Sequence, residues 1–171
     1  MAERLANLFP KTKVFVDSNI LMYALAKNSI YYQDCRQFIT RIANGEIFGF
    51  LNPFVISEVL FKNLIASVIK EYHPKDLMYF IKGNPHVLKE RKDIYEKTLR
   101  LLNLNLTMLS TDREIWMKAV ILSTEYALLP NDAIHAATCS VHGIEHVATN
   151  DSDFERVSFL NIWKPEEIKE P

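Results

Sequence analysis

Short apolar runs recur along this chain, and each is separated from the next by a stretch of helical periodicity. Lys13–Val16 is β-branched and aromatic, bounded by polar residues on both sides, and reads as a buried strand. Residues 47–51, 104–109 and 145–149 read the same way, and 158–162 is a weaker fifth strand. Between them lie segments with apolar residues three and four apart. One helix begins at Ile20, capped by Ser18 or Asn19, and another covers residues 30–43, with Cys35, Phe38, Ile39 and Ile42 on one face before Asn44-Gly45 ends it. Pro53–Tyr72 follows, apolar over more than one stripe, which predicts deep burial. A short helix lies near residues 77–81, then one over 87–102. Thr111 or Asp112 caps a further helix whose inner side carries Ile115, Trp116, Ala119, Val120 and Leu122, and Pro130-Asn131 opens the last, ending near His142-Gly143. Strands joined through helices cannot pair as hairpins. The pattern therefore predicts a parallel sheet covered by helices on both faces.

The 171 residues suit one domain spanning 1–171, without repeats or a flexible linker. A formal net charge of −1 means that any nucleic-acid partner must be held by a local basic patch and not by the field of the whole molecule. Cys35 and Cys139 lack metal or redox spacing and are expected as buried free thiols in a reducing compartment. No signal-peptide core and no apolar run of spanning length occur, so a soluble cytoplasmic protein without a membrane partner is expected.

Four acids stand where carboxylates are costly: Asp17 in VFVDSNIL, Glu58 in FVISEVLF, Asp132 in LPNDAIHAAT and Asp151 in VATNDSDF. Each has a plain structural reading. Asp17 suits a helix cap, Glu58 a pair with Lys62, and Asp132 the favourable field of a helix start. His135, one turn beyond Asp132, is a candidate for metal or RNA contact or a core imidazole with a satisfied hydrogen bond. Together the acids point elsewhere. In an open parallel sheet the ligand crevice lies at the carboxyl ends of the strands, and Asp17 and Asp151 closely follow two of them. A group of carboxylates there has a use if a divalent cation neutralises it. Such a cation acidifies water and stabilises charge on a phosphate.

In VFVDSNILMYAL, VISEVL, PNDAIHAAT and VATNDSDF, taken in order, the chain resembles the PIN-domain nucleases, a family that includes the VapC toxins of type II toxin–antitoxin pairs. The match runs from Val14 to about Phe154. It implies a three-layer α/β/α sandwich with a central parallel sheet, a ribonuclease dependent on Mg²⁺ or Mn²⁺, frequent homodimerisation and, for a toxin, a small antitoxin protein. By the same resemblance Asp17, Glu58, Asp132 and Asp151 form the catalytic, metal-holding quartet. Ser18 and Asn19 fall where polar side chains hold the first acid or a water, Thr149 orders the loop before the last acid, and Asp153 is an auxiliary acid.

The chain departs from a compact VapC-type toxin around residues 70–105, where an extra helical segment carries Lys70, Lys75, Lys82, Lys89, Arg91, Lys92, Lys97 and Arg100. Those charges either guide RNA phosphates or form a solvated face with pairs such as Asp93 and Lys97. Tyr23, Tyr31 and Tyr32 are candidates for base stacking or for packing. Two rival functions remain at this level. One is a binding or regulatory PIN module with weak or no cleavage. The other is an aspartyl-nucleophile phosphatase, for which VFVD followed by two polar residues speaks and Asn19, in place of a second aspartate, speaks against.

Overall fold

The structure, a computed structural model, describes residues 2–167. Six strands form one sheet: β1 (Glu3–Arg4), β2 (Lys13–Val16), β3 (Phe48–Leu51), β4 (Leu106–Met108), β5 (His146–Ala148) and β6 (Asn161–Lys164). Every pairing is parallel, in the order β1-β6-β5-β2-β3-β4. The helices are α1 (Ser18–Leu25), α2 (Tyr32–Ala43), α3 (Pro53–Tyr72), α4 (Leu77–Gly83), α5 (His86–Lys89), α6 (Lys92–Leu102), α7 (Arg113–Tyr126) and α8 (Pro130–Val141). The result is the parallel-sheet α/β/α architecture that the alternation of elements predicts. Val14, Phe15 and Val16 of the central strand β2 are fully buried, as a strand covered on both faces must be. Among the described residues no helix is long and apolar enough to cross a membrane.

From β2 the chain builds outward through β3 and β4, then returns to the other side of β2 to lay down β5 and β6. That reversal opens a crevice at the carboxyl ends of β2 and β5, which are paired through Val16↔Ala148. On β3, Gly49 allows its neighbours to close in. A Cβ there would lie 2.6 Å from Leu106 Cδ2 and 2.9 Å from Ile42 Cδ1.

Several local expectations are corrected. Helix α1 starts at Ser18, capped by Asp17 and not by Ser18 or Asn19. On α3 only Val55, Val59 and Val68 are buried, while Phe61 is 55% exposed, so the helix packs along one edge and leaves its far side free. The helix expected over 87–102 is broken between α5 and α6. Arg91 leaves helical geometry there to reach Glu71 at 2.6 Å and to lie over the Tyr72 ring. On α7, Trp116 and Val120 face outward, and Ile115, Ala119 and Leu122 form the buried side. The last strand lies at Asn161–Lys164 because residues 152–156 coil into a 3-10 turn and burial falls on Ile162 and Trp163. Cys35 and Cys139 are buried free thiols, and burial pushes Cys35 up to about 12.

Candidate active site

Asp17 stands immediately after β2, where its amide extends the β2–β5 pairing by donating to Ala148 O at 3.0 Å. The residue is 5% exposed, and its carboxylate meets three donors. Oδ1 accepts from the Ser18 amide at 2.5 Å, and Oδ2 accepts from Asn19 Nδ2 and Thr149 Oγ1, each at 2.6 Å. A carboxylate offers about four lone-pair directions, so Oδ2 is filled and Oδ1 keeps one free. Asp17 is thus both the helix cap and a fixed anion at the crevice.

The loop after β5 is wired to the same point. Thr149 Oγ1 accepts from the Asp151 amide at 2.9 Å while donating to Asp17, and Asn19 Oδ1 accepts from the Asn150 amide at 3.1 Å. Asp151 caps the following 3-10 turn, its Oδ1 accepting from the Asp153 amide at 2.9 Å. The Asp153 carboxylate itself is paired with Arg156 at 3.0 Å.

Glu58, from the second turn of α3, enters from the other side of α1. Its Oε2 accepts from Ser18 Oγ at 2.7 Å and from Lys62 Nζ at 3.1 Å, and its Oε1 accepts from Asn131 Nδ2 at 2.7 Å. The Glu58–Lys62 pair anticipated from their four-residue spacing exists, and it lies within the site, because Lys62 Nζ also donates to Ser18 Oγ at 3.1 Å. Burial pushes the Glu58 carboxyl up, but the neighbouring His135 ring, the Ser18 hydroxyl and the Lys62 ammonium outweigh it and hold the group well below the usual carboxylate range.

Asp132 occupies the first turn of α8. Its carboxyl is pushed up to about 6, first by burial and then by the negative charges of Asp151, Asp17 and Glu58. Asp132 thus lies near enough to Asp151, Asp17 and Glu58 to feel their charges. Asp17, Glu58 and His135 each offer a ligand atom, and those atoms lie within 4.8 Å of one another.

His135 is fully buried, as a core imidazole would be. One nitrogen, Nδ1, is 3.1 Å from Asn52 Nδ2, and the other, Nε2, has no hydrogen-bond partner and lies 3.6 Å from Glu58 Oε1. Asn52 and Asn131 are contributors that motif reading passes over. The Asn-Pro start of α3 marks Asn52 as a cap but carries no sign of its second role, and Asn131 is visible only as the neighbour of Asp132. Of the tyrosines, Tyr23 and Tyr31 pack ring against ring at 4.9 Å, and Tyr23 accepts from Asn150 Nδ2 at 3.4 Å. In the basic segment, Arg91 pairs with Glu71 and Lys97 with Asp93.

A parallel sheet with a carboxylate cluster at its reversal point defines a class of protein. A family model of the PIN domain matches residues 14–160, and the chain belongs to that family. It is 37% identical over 156 residues to Ribonuclease VapC2 of Methanocaldococcus jannaschii, covering 89% of this chain and 93% of that protein. Ribonuclease VapC6 of the same organism is 29% identical over 155 residues, with 90% and 97% covered. Among solved structures, a chain in the crystal structure of VapBC2 from Rickettsia felis bound to a promoter DNA fragment superposes with a TM-score of 0.61 at 16% identity, covering 91% of this chain and 100% of that one. Mycobacterium tuberculosis VapC20, a sarcin-ricin loop cleaving toxin, gives 0.60 at 11% identity, with 88% and 98% covered. These two likenesses concern the fold.

Proposed function

We propose that this protein is a metal-dependent endoribonuclease of the VapC type that hydrolyses RNA phosphodiester bonds with Mg²⁺ or Mn²⁺. The observation that carries the reading is the approach of Asp17 and Glu58 at the sheet's reversal point, where their ligand atoms lie with that of His135 within 4.8 Å of one another and where burial, with the charges of Asp151, Asp17 and Glu58, pushes the Asp132 carboxyl up to about 6. Relatives named ribonucleases at 37% and 29% identity support it. Family membership leaves no role for a phosphoaspartate at Asp17.

The donor set fits a hard divalent cation, which prefers carboxylate oxygens and would offset the burial and the neighbouring negative charges that push the Asp132 carboxyl up. Asp17, Asp132 and Asp151 would hold the ion, and Glu58 would either hold it or orient the attacking water. When bound, the ion supplies acidified water and charge neutralisation at the phosphate. The chain does the rest. Ser18, Asn19 and Thr149 fix the carboxylates of Asp17 and Glu58 before substrate arrives, so little reorganisation is needed during reaction. Glu58 stays ionised and so can accept a hydrogen bond from the water it would orient. Asp153, bound to Arg156, braces the loop that carries Asp151.

Residues 1–171 are read as a single nuclease domain whose segment around 70–105 is an added helical arm, and a cytoplasmic location is the reading that suits an RNA substrate. A small antitoxin protein is the expected partner, a reading supported by neighbours solved as toxin–antitoxin complexes. The outward stripe of Trp116, Met117, Val120 and Ile121 on α7 supports a homodimer. Incubation with total RNA in Mn²⁺, with EDTA and Asp17→Asn controls, tests the activity. Cleavage that needs Mn²⁺ and is lost in the variant is expected. No cleavage in any arm, as a binding module would give, or equal cleavage in all, overturns the reading.

A further inference from the structure

We infer that His135 is a positioning residue that donates its Nε2 proton toward Glu58, and that it is not a ligand for the ion. The inference rests on the nuclease reading above for its consequence, though not for its geometry.

The run of hydrogen bonds begins at the start of α3. Asn52 caps that helix, its Oδ1 accepting from the Val55 amide at 3.3 Å, and this fixes which way the side-chain amide faces. Reversing it would set N–H against N–H. The two protons on Nδ2 are then committed, one to Thr138 Oγ1 at 3.0 Å and the other to His135 Nδ1 at 3.1 Å. Thr138 can only receive there, because its own hydroxyl donates to Ile134 O at 2.7 Å. A ring nitrogen that receives an N–H must present a lone pair, so the imidazole proton is on Nε2. Asn52, His135 and Thr138 are all fully buried, with Phe15 against the ring at 5.3 Å, so no solvent competes for these bonds.

Nε2 is consequently a buried donor with no partner of its own, aimed at Glu58 Oε1 from 3.6 Å. A shift of about half an ångström in the carboxylate would close that bond. The opposite tautomer, which a ligand at Nε2 would need, brings the Nδ1 proton against the Asn52 amide. His135 therefore acts on the anion and not on the cation, even though its atom falls within the potential ligand group. A helix cap has set the tautomer of a residue 83 positions away.

The test uses wild-type protein labelled with ¹⁵N-histidine. Long-range proton–nitrogen NMR is expected to show Nε2 protonated and Nδ1 bare, both without metal and with saturating Mg²⁺. Pulsed EPR of the Mn²⁺-loaded protein is expected to show no directly bound nitrogen. Protonated Nδ1, or a nitrogen bound to Mn²⁺, overturns the inference. In the RNA assay, His135→Gln retains a donor where Nε2 sits and should keep kcat within about threefold. His135→Leu should lose on the order of tenfold to a hundredfold in kcat, with Mn²⁺ affinity changed by less than about threefold. A loss of Mn²⁺ affinity that tracks the loss of kcat also overturns it. Absence of cleavage by wild type would sink the nuclease reading alone, since the tautomer is measured without substrate.

Discussion

Ser18 Oγ donates to Glu58 Oε2 at 2.7 Å across 40 positions of sequence, joining the first turn of α1 to α3. Ser18 is 1% exposed and follows directly on Asp17, so one hydroxyl sets the spacing between two of the acids. Removing it leaves Glu58 with Lys62 and Asn131 but frees it to swing.

Ser18→Ala should therefore lower kcat by roughly tenfold to a hundredfold, the range expected when a hydrogen bond to a charged group is lost from the reacting geometry. Thermal unfolding should move by only a few degrees. Steady-state cleavage kinetics beside a melting curve check both parts, and a kcat within twofold of wild type would contradict the role given to this bond.

Asp132 governs the pH response of metal-free protein. Its folded carboxyl titrates at about 6, above the ordinary value, so between pH 4 and 6 the folded state holds more protons than the unfolded one. Stability from this group is full below pH 4 and is lost as pH rises through 6. Asp132→Asn should then be more stable than wild type at pH 7 without metal, by on the order of 1 kcal/mol after allowance for solvent screening, or roughly 2–4 °C in Tm. Adding Mn²⁺ should reverse the order, because only wild type gains. Melting at pH 4 and pH 7, with and without Mn²⁺, measures all of it, and an equal Mn²⁺ gain in both proteins would rule out Asp132 as a holder of the ion.

The exposed face of α7 gives a test of assembly. Val120 is 67% exposed and Ile121 63%. Val120→Asp should shift the sedimentation of a homodimer to that of a monomer while leaving the melting temperature within a few degrees. Unchanged sedimentation would remove this stripe from the interface.

Gly49 tests the packing under the site. Its missing side chain lets Leu106 and Ile42 close over β3, and Gly49→Ala should destabilise by about 1–3 kcal/mol through overpacking. Urea denaturation reads the change, with the folded fraction retaining its specific activity.

Reading the chain alone recovers the strands that alternate with helices, because burial on both faces keeps Val14–Val16 of β2 and Val147 and Ala148 of β5 apolar. The two-residue strand β1 escapes, since Glu3 and Arg4 are exposed and polar and pair only through backbone. The outward turn of Trp116 and Val120 escapes for a related reason. An apolar side chain declares that it can be buried, and the packing of α7 on α8 decides which ones are. At the site, motif order brings Asp17, Glu58, Asp132 and Asp151 forward together, and the donors Ser18, Asn19, Asn131 and Thr149 stand inside the same motifs, while Lys62 stands outside them. Nothing local in Asn52 foretells a bond to His135, which depends on the fold setting the start of α3 beside α8.

The clasp between Asp17 and Thr149 spans 132 positions, and that between Asn19 and Asn150 spans 131. On the ribosome, Asp17 must wait for the 132 positions up to Thr149 to be made before its partners arrive. A truncated or stalled translation product lacks the hydroxyl that steadies the first acid and also the last acid itself. For an enzyme proposed to cut RNA, this order of synthesis is a safeguard, because the blade is not assembled until the segments on both sides of the crevice have been made.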